Sequence, residues 1–515
     1  MSSCLWLERS AAWRPIAIGF LLGLVTVPAW PLVWHAATAS EATGPGAPFW
    51  DAMRNSLELA GYVAVLALLI GLPAGLVTAL YTFPGRRLLL AAVTLPLLAP
   101  SFLWAIGWSA LAQRLGPNAT LLVNGRVGCC LVFLGSAVPL VLWMTYAATI
   151  SLAGTQVEGA RLAGGERAVL WYAGRYVVTT ASLAAALAGV LTLSDPGPGQ
   201  IFGRRTAASE VLTSFSALYD YGLAARQCLA LTVAVVVLAG PLVIFATRRL
   251  SSQILARQVR PVQRVAADGR GAAITAAFTA LALLLLLVPL AGLILPLREG
   301  WELARAGREV ARTGLNTLVY AAGAGIVAVG FGFLAALSVG RSARLRLFVL
   351  GTCVALFALP PSLGALGIVQ TATDAPAWLD WLTRSRLTVC GALGLRFVPI
   401  AALISLRSWG SLSGSWTQAA ALHGVSATGY LALVVLPRMR PALGAAFLLV
   451  GLLATADIGS VLLLHPPGQG SLPLAIFTVM ANAPESLVAS LCLAYVGLAL
   501  GTMWLISWTT RSDGP

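Results

Sequence analysis

Residues 272–297 read AAITAAFTALALLLLLVPLAGLILPL, with Arg270 before them, Arg298 after them and no charge between. A helix needs about 20 apolar residues to cross the hydrocarbon core of a bilayer. This run is long enough, and eleven further segments read the same way. They are 15–35, 57–81, 88–112, 127–150, 176–193 and 228–247 before it, and 315–339, 347–371, 387–406, 442–464 and 486–506 after it. Composition agrees: of 515 residues, 58% are hydrophobic and 10% charged, with a mean hydropathy of +0.86. A soluble chain would carry about 25% charged residues. A soluble enzyme is therefore excluded, and the expected fold class is an all-α polytopic membrane protein with twelve transmembrane helices.

All 33 basic residues are Arg, and there is no Lys. That removes a Walker A phosphate loop and any Schiff-base chemistry, both of which need Lys. The formal charge of +15 fits basic cytoplasmic loops rather than nucleic-acid binding. Arg9 and Arg14 suit a retained first helix with its N-terminus inside. Arg248, Arg249, Arg257, Arg260, Arg264 and Arg270 crowd the stretch between the sixth and seventh segments. The Arg bias puts both termini in the cytoplasm. It divides the chain into a first half, 1–250, a cytoplasmic linker, 251–271, and a second half, 272–515. Seven Cys with no CxxC spacing read as small buried apolar residues. His35, His423 and His465 lie far apart, so neither a metal site nor a catalytic cluster is expected.

The halves repeat. Asn55-Ser-Leu57 matches Asn316-Thr-Leu318, and Pro100-Ser101 matches Pro361-Ser362, each at an offset of 261. Val138-Pro139 matches Val398-Pro399, and Ser151-Leu-x-Gly154 matches Ser411-Leu-x-Gly414, each at 260. Asp195-x-Gly197 matches Asp457-x-Gly459 at 262. A near-constant offset over five landmarks implies two six-helix repeats. An even number of helices keeps the two copies parallel.

The long loop after the fourth helix of each half carries the most informative pattern. In the first half it holds Glu158-Gly159-Ala160-Arg161 and then Gly164. In the second it holds Gln418-Ala419-Ala420, His423, Gly424 and then Val434-Val-Leu436-Pro437. Small helix-forming residues let a partner approach closely. Gly164 and Gly424 permit a sharp turn, and Pro437 suits the first turn of a following helix. Arg161, Glu166, Arg167 and His423 flank the turns. The pattern resembles the EAA loop of ABC importer permeases: Glu-Ala-Ala, three residues, Gly, nine residues, Ile-x-Leu-Pro. The second copy keeps that spacing through Pro437. The first has Gly174-Arg-Tyr-Val177 where the terminal box belongs.

The resemblance is to the fused permeases of the ferric iron type, grouped with thiamine, polyamine and phosphonate permeases. Their (Glu/Asp)-x-Gly corresponds to Asp195-Pro-Gly197 and Asp457-Ile-Gly459. The resemblance implies a type I ABC importer permease fold in a bacterial inner membrane. It also implies two copies of an ATPase subunit docked on the loops and a periplasmic binding protein at outer loops 194–227 and 465–485. The cargo it implies is ferric iron or something similarly small. ATP and Mg would sit on the partner subunits, with no cofactor on this chain.

Few ionisable residues fall inside the apolar segments. Asp457 and Arg396 do, Asp195 ends the fifth, and Glu58 and Glu485 stand at segment ends. An intramembrane charge points to function. Asp195 and Asp457 either line a translocation path for a cationic cargo or cap helices with an ion pair to Arg396. Pro100 and Pro361 either shape a gate or merely kink their helices. A secondary transporter with two six-helix repeats is the alternative reading. It leaves the paired loops unexplained.

Overall fold

The structure, a computed structural model, describes residues 19, 30–34, 44–255, 262–267, 269–299, 302–339, 342–374 and 376–511. Most of the first expected span, 15–35, and part of the linker lie outside them. Among the described residues, nine helices are long and apolar enough to cross a membrane. Two bent pairs raise that number to eleven if each pair is one span. The chain is an all-α polytopic membrane protein.

The first half comprises α1 (Ala47–Leu80), β1 (Tyr81–Thr82), α2 (Arg86–Thr94), α3 (Ser101–Leu115), α4 (Pro117–Val123), α5 (Arg126–Ile150), α6 (Gly154–Leu193), α7 (Gly197–Ile201), α8 (Ala207–Ser216) and α9 (Tyr221–Leu255). After β2 (Val265–Ala266) come α10 (Gly271–Ala282), α11 (Val288–Ile294), α12 (Leu303–Val339), α13 (Ala343–Ala358), α14 (Pro361–Asp374), α15 (Asp380–Thr383) and α16 (Arg386–Gly410). The chain ends with α17 (Gly414–Leu422), α18 (Ala427–Tyr430), α19 (Leu436–Ala456), α20 (Ile458–Leu464), α21 (Leu472–Val479) and α22 (Glu485–Arg511).

Three expected spans are not single helices; the eleventh, 442–464, breaks at Asp457 between α19 and α20. The third, 88–112, bends by 105° between α2 and α3, and the ninth, 347–371, bends by 84° between α13 and α14. Pro100 caps the start of α3, and Pro361 is the first residue of α14. The expectation that these prolines merely kink a continuous helix is corrected. Each opens a new helix, where a missing N–H costs nothing. Two other prolines follow widened π turns. Leu283–Leu287 precedes Pro289 and Leu431–Val435 precedes Pro437, relieving the carbonyl that has lost its donor.

In the core, α1 packs on α5 and α6, and α12 packs on α16 and α19. The second half also reaches into the first through α11 and α3. A Cβ built on Gly292 would lie 1.8 Å from the Gly107 carbonyl oxygen, so only glycine permits this helix crossing.

The Asn-Ser/Thr-Leu landmarks now have a physical role. Ser56 Oγ accepts from the Ala207 N–H at 2.9 Å, and Asn55 Nδ2 donates to the Arg205 carbonyl at 3.3 Å. Thr317 Oγ1 accepts from the Leu472 N–H at 2.8 Å, and Asn316 Nδ2 donates to the Gly470 carbonyl at 3.3 Å. Each pair anchors the first N–H groups of a helix, α8 or α21, onto a long one. These N-terminal donors have no partner inside their own helix. Loops 194–227 and 465–485 are therefore folded inward by α1 and α12 rather than standing free.

Thr317→Val keeps the shape of the side chain but leaves the buried Leu472 N–H unpaired. An unsatisfied buried donor costs about 1–3 kcal/mol. The melting temperature of the detergent-solubilised chain should fall, and Ser56→Ala should lower it similarly through Ala207. Unchanged melting in both variants would remove these anchors from the account.

Candidate functional site

The two loops fold alike. In the first half α6 is broken at Gly164 and Gly165 into a short piece, 154–163, and a long piece, 166–193. Gly165, at φ +64, takes the left-handed conformation, so the turn residue lies one position beyond the expected Gly164. In the second half α17 ends at His423, and Gly424, at φ +67, makes the turn. Gly424 N–H donates to the Ala421 carbonyl at 3.3 Å and Val425 N–H to the Ala420 carbonyl at 2.9 Å. This is the Schellman cap, completed by Val425 packing back on the cluster around Ala420. Leu436 and Pro437 open α19 and are exposed.

Ala160 and Ala420, 260 residues apart, face inward from their short helices. Glu158, Gly159, Gln418, Ala419 and His423 are exposed. Sequence reasoning missed the residues that stand out most. Leu162 is 90% exposed and Leu422 86%, the two highest values among the large apolar side chains described. They too are 260 apart and sit just before the turns. A search for apolar residues at matched positions in polar loops would have found them.

The first loop is braced by charge. Arg161 Nε donates to Glu166 Oε1 at 2.6 Å, and the Tyr81 hydroxyl donates to Glu166 Oε2. Burial, and then the Glu166 carboxylate, push the Tyr81 phenol above its ordinary range, so it stays a donor. The linker is seated on the same face. β2 pairs in parallel with β1, and the Ala267 N–H donates to the Thr82 carbonyl at 3.2 Å. Arg264 Nη2 donates to the Tyr146 hydroxyl at 2.6 Å. Val262 and Ala267 pack on the cluster that holds Val157 and Val169. The second loop is held otherwise, by Thr417 bonded to Tyr430 at 3.1 Å over Val435 and Met439.

A cavity of about 240 Å³ lies where the two bent pairs meet the ends of α6 and α19, and Pro100, Pro361, Asp195 and Asp457 all line it. The four residues proposed for a path are thus brought to one cavity. Asp457 is 8% exposed and caps α20, accepting from the Ser460 N–H at 3.2 Å and from its hydroxyl at 2.8 Å. Arg396 Nη1 stands 3.0 Å from Asp457 Oδ2. Asp195 accepts from the Gly197 N–H at 2.9 Å and from the Ser101 hydroxyl. Asp457 therefore caps a helix, pairs with Arg396 and lines the cavity at once, while Asp195 lines it with two hydrogen bonds. Glu58 and Glu485 lie apart from this cavity, paired with Arg126 at 2.8 Å and Arg114 at 3.3 Å.

Compared with protein-family models and with curated proteins, the chain matches none.

Arg396→Ala leaves the Asp457 carboxylate buried without its cation, a loss that typically costs about 3–5 kcal/mol. The variant should melt well below the parental chain, and adding Asp457→Asn should recover much of the difference. Additive losses in this double-mutant cycle would show that the pair is not coupled.

Proposed function

We propose that this chain is the membrane-spanning permease subunit of an ATP-driven ABC importer, built from two parallel six-helix repeats. The observation that carries the reading is the pair of short surface helices. Each ends at a left-handed glycine, and each presents one nearly bare leucine at a matched position, Leu162 or Leu422. Burying a leucine side chain is worth about 1.5–3 kcal/mol, and two such knobs suit two equivalent clefts on a partner. Two copies of an ATPase subunit supply those clefts and the ATP and Mg. The absence of Lys leaves no phosphate-binding lysine on the chain itself.

Closure of the ATPase pair pushes the short helices. Each push passes through its glycine turn into the long helix behind it, α6 or α18–α19. Those long helices end at Asp195 and Asp457, on the cavity wall. A stroke at the loops therefore reaches the cavity along one rigid element per half. A small cargo enters from a periplasmic binding protein and passes through that cavity. The chain performs no chemistry of its own. With one chain supplying both halves, the complex holds one copy of it and two ATPase subunits, in a bacterial inner membrane with both termini cytoplasmic.

Leu162→Asp and Leu422→Asp place a charge where the partner's cleft expects an apolar side chain. Both variants should insert normally and lose the ATPase subunit on purification, with transport lost as well. Gly424→Asp should do the same by a different route. Its Cβ meets nothing within 4 Å, but an L side chain at φ +67 is strained. If all three insert, keep the ATPase and transport at the parental rate, the loops are not the coupling site.

Topology is a separate test. Reporter fusions after Arg14, Arg257 and Arg511 should all report cytoplasm, and a periplasmic signal at Arg257 would break the six-plus-six arrangement.

A further inference from the structure

We infer that the cavity is built for a small organic cation, and that the Arg396 guanidinium occupies that cation's seat in the present conformation. The inference rests on reading the chain as a permease, and it names the class of cargo.

Charge comes first. The ionisable residues lining the cavity are Asp195, Asp457 and Arg396, two carboxylates to one guanidinium. Position 396 matches position 136 at the offset of 260, and Ser136 also lines the cavity. The two acids are thus a matched pair that shares one guanidinium, which forms its ion pair with Asp457 and acts on Asp195 at longer range. Asp195 is left with the Ser101 hydroxyl and the Gly197 N–H. Ser194, beside it, is 7% exposed and lines the same cavity, yet its hydroxyl has no hydrogen-bond partner in the chain. A buried hydroxyl without a partner beside a half-compensated carboxylate is the polar side of a binding seat.

The walls choose between kinds of cation. Phe102, Trp104, Phe215, Phe357, Phe397 and Phe477 line the cavity. Hard metal ions take six or more oxygen ligands or keep their waters, and this lining has two carboxylates and no third His, Cys, Asp or Glu. Aromatic faces attract ammonium and guanidinium groups. The molecule already shows the mode of binding. The Arg396 guanidinium is 3.0 Å from the Asp457 carboxylate and 5.6 Å from the Phe397 ring centroid. A cargo cation would exchange places with it. Arg396 would then keep the carboxylates compensated whenever the seat is empty of cargo, so that neither state leaves Asp457 buried and alone.

The test uses the full chain in lipid nanodiscs, with ethylguanidinium chloride as the organic probe, terbium chloride as the hard-metal probe and sodium chloride as the control. In Arg396→Ala, ethylguanidinium should bind about tenfold more tightly than in the parental chain, the equivalent of one recovered contact of about 1.4 kcal/mol. It should also restore the lowered melting temperature, and adding Asp457→Asn should remove both effects. Arg396→Gln keeps the side-chain bulk without the charge, and it carries the same measurement if the alanine variant does not fold. Stabilisation by terbium in place of ethylguanidinium would overturn the organic class. No response to either probe in the foldable variant would overturn the cation seat itself. Retention of the ATPase subunit is read separately at Leu162 and Leu422. Failure there would strike the permease reading and leave this cation measurement standing, and the reverse holds equally.

Discussion

In lipid, every backbone N–H and C=O must find a partner within the protein, because no water is there to supply one. Unbroken helices meet this condition without help. This chain breaks its helices at four places around one cavity: between α2 and α3, between α13 and α14, after α6 and after α19. At each break something other than helix must satisfy the freed groups. Prolines begin α3 and α14, where no donor is needed. Carboxylates accept from the N–H groups of Gly197 and Ser460 after the long helices. The polar lining of the cavity follows from that requirement, and its chemistry is that of the groups that meet it.

The same constraint explains why loops 194–227 and 465–485 turn inward. α8 and α21 each bring unpaired N-terminal donors toward the membrane-embedded body. Thr206 and Ser471 cap them locally, and Ser56 and Thr317 finish the task from α1 and α12. Phe215 and Phe477 arrive at the cavity because those donors are tethered. An apolar wall is thus delivered by hydrogen bonds made some distance from it.

Apolar length and Arg placement made the class and most spans legible in the sequence, because hydrophobic runs report directly on a bilayer. The bends at Pro100 and Pro361 were not legible as bends. A proline in an apolar run reads equally as a kink or as a new helix, and only the packing around it decides. The turn glycine of the first loop was misplaced by one residue for a related reason: Gly164 and Gly165 are adjacent and identical, and only backbone geometry tells them apart. The motif spacing led to Asp195, Asp457 and both loops. It did not reveal Leu162 and Leu422, whose signal is instead an apolar match at an offset of 260 within polar loops. The Arg396–Asp457 pair was foreseeable as a choice among few charges, but not Ser194, whose interest lies wholly in its lack of a partner.

The strand pairing between β1 and β2 carries a further consequence. It ties the connector of the halves to the foot of the first loop, beside Glu166 and Tyr81. The second loop has no such buttress among the described residues and instead has its own Schellman turn and Pro437. A connector paired to the foot of a loop is a tether that the loop's own sequence need not supply. A tethered loop can lose part of its own stiffening sequence without losing its shape. Gly174-Arg-Tyr-Val177, standing where the second half has Val434-Val-Leu436-Pro437, is a change that such a tether makes tolerable.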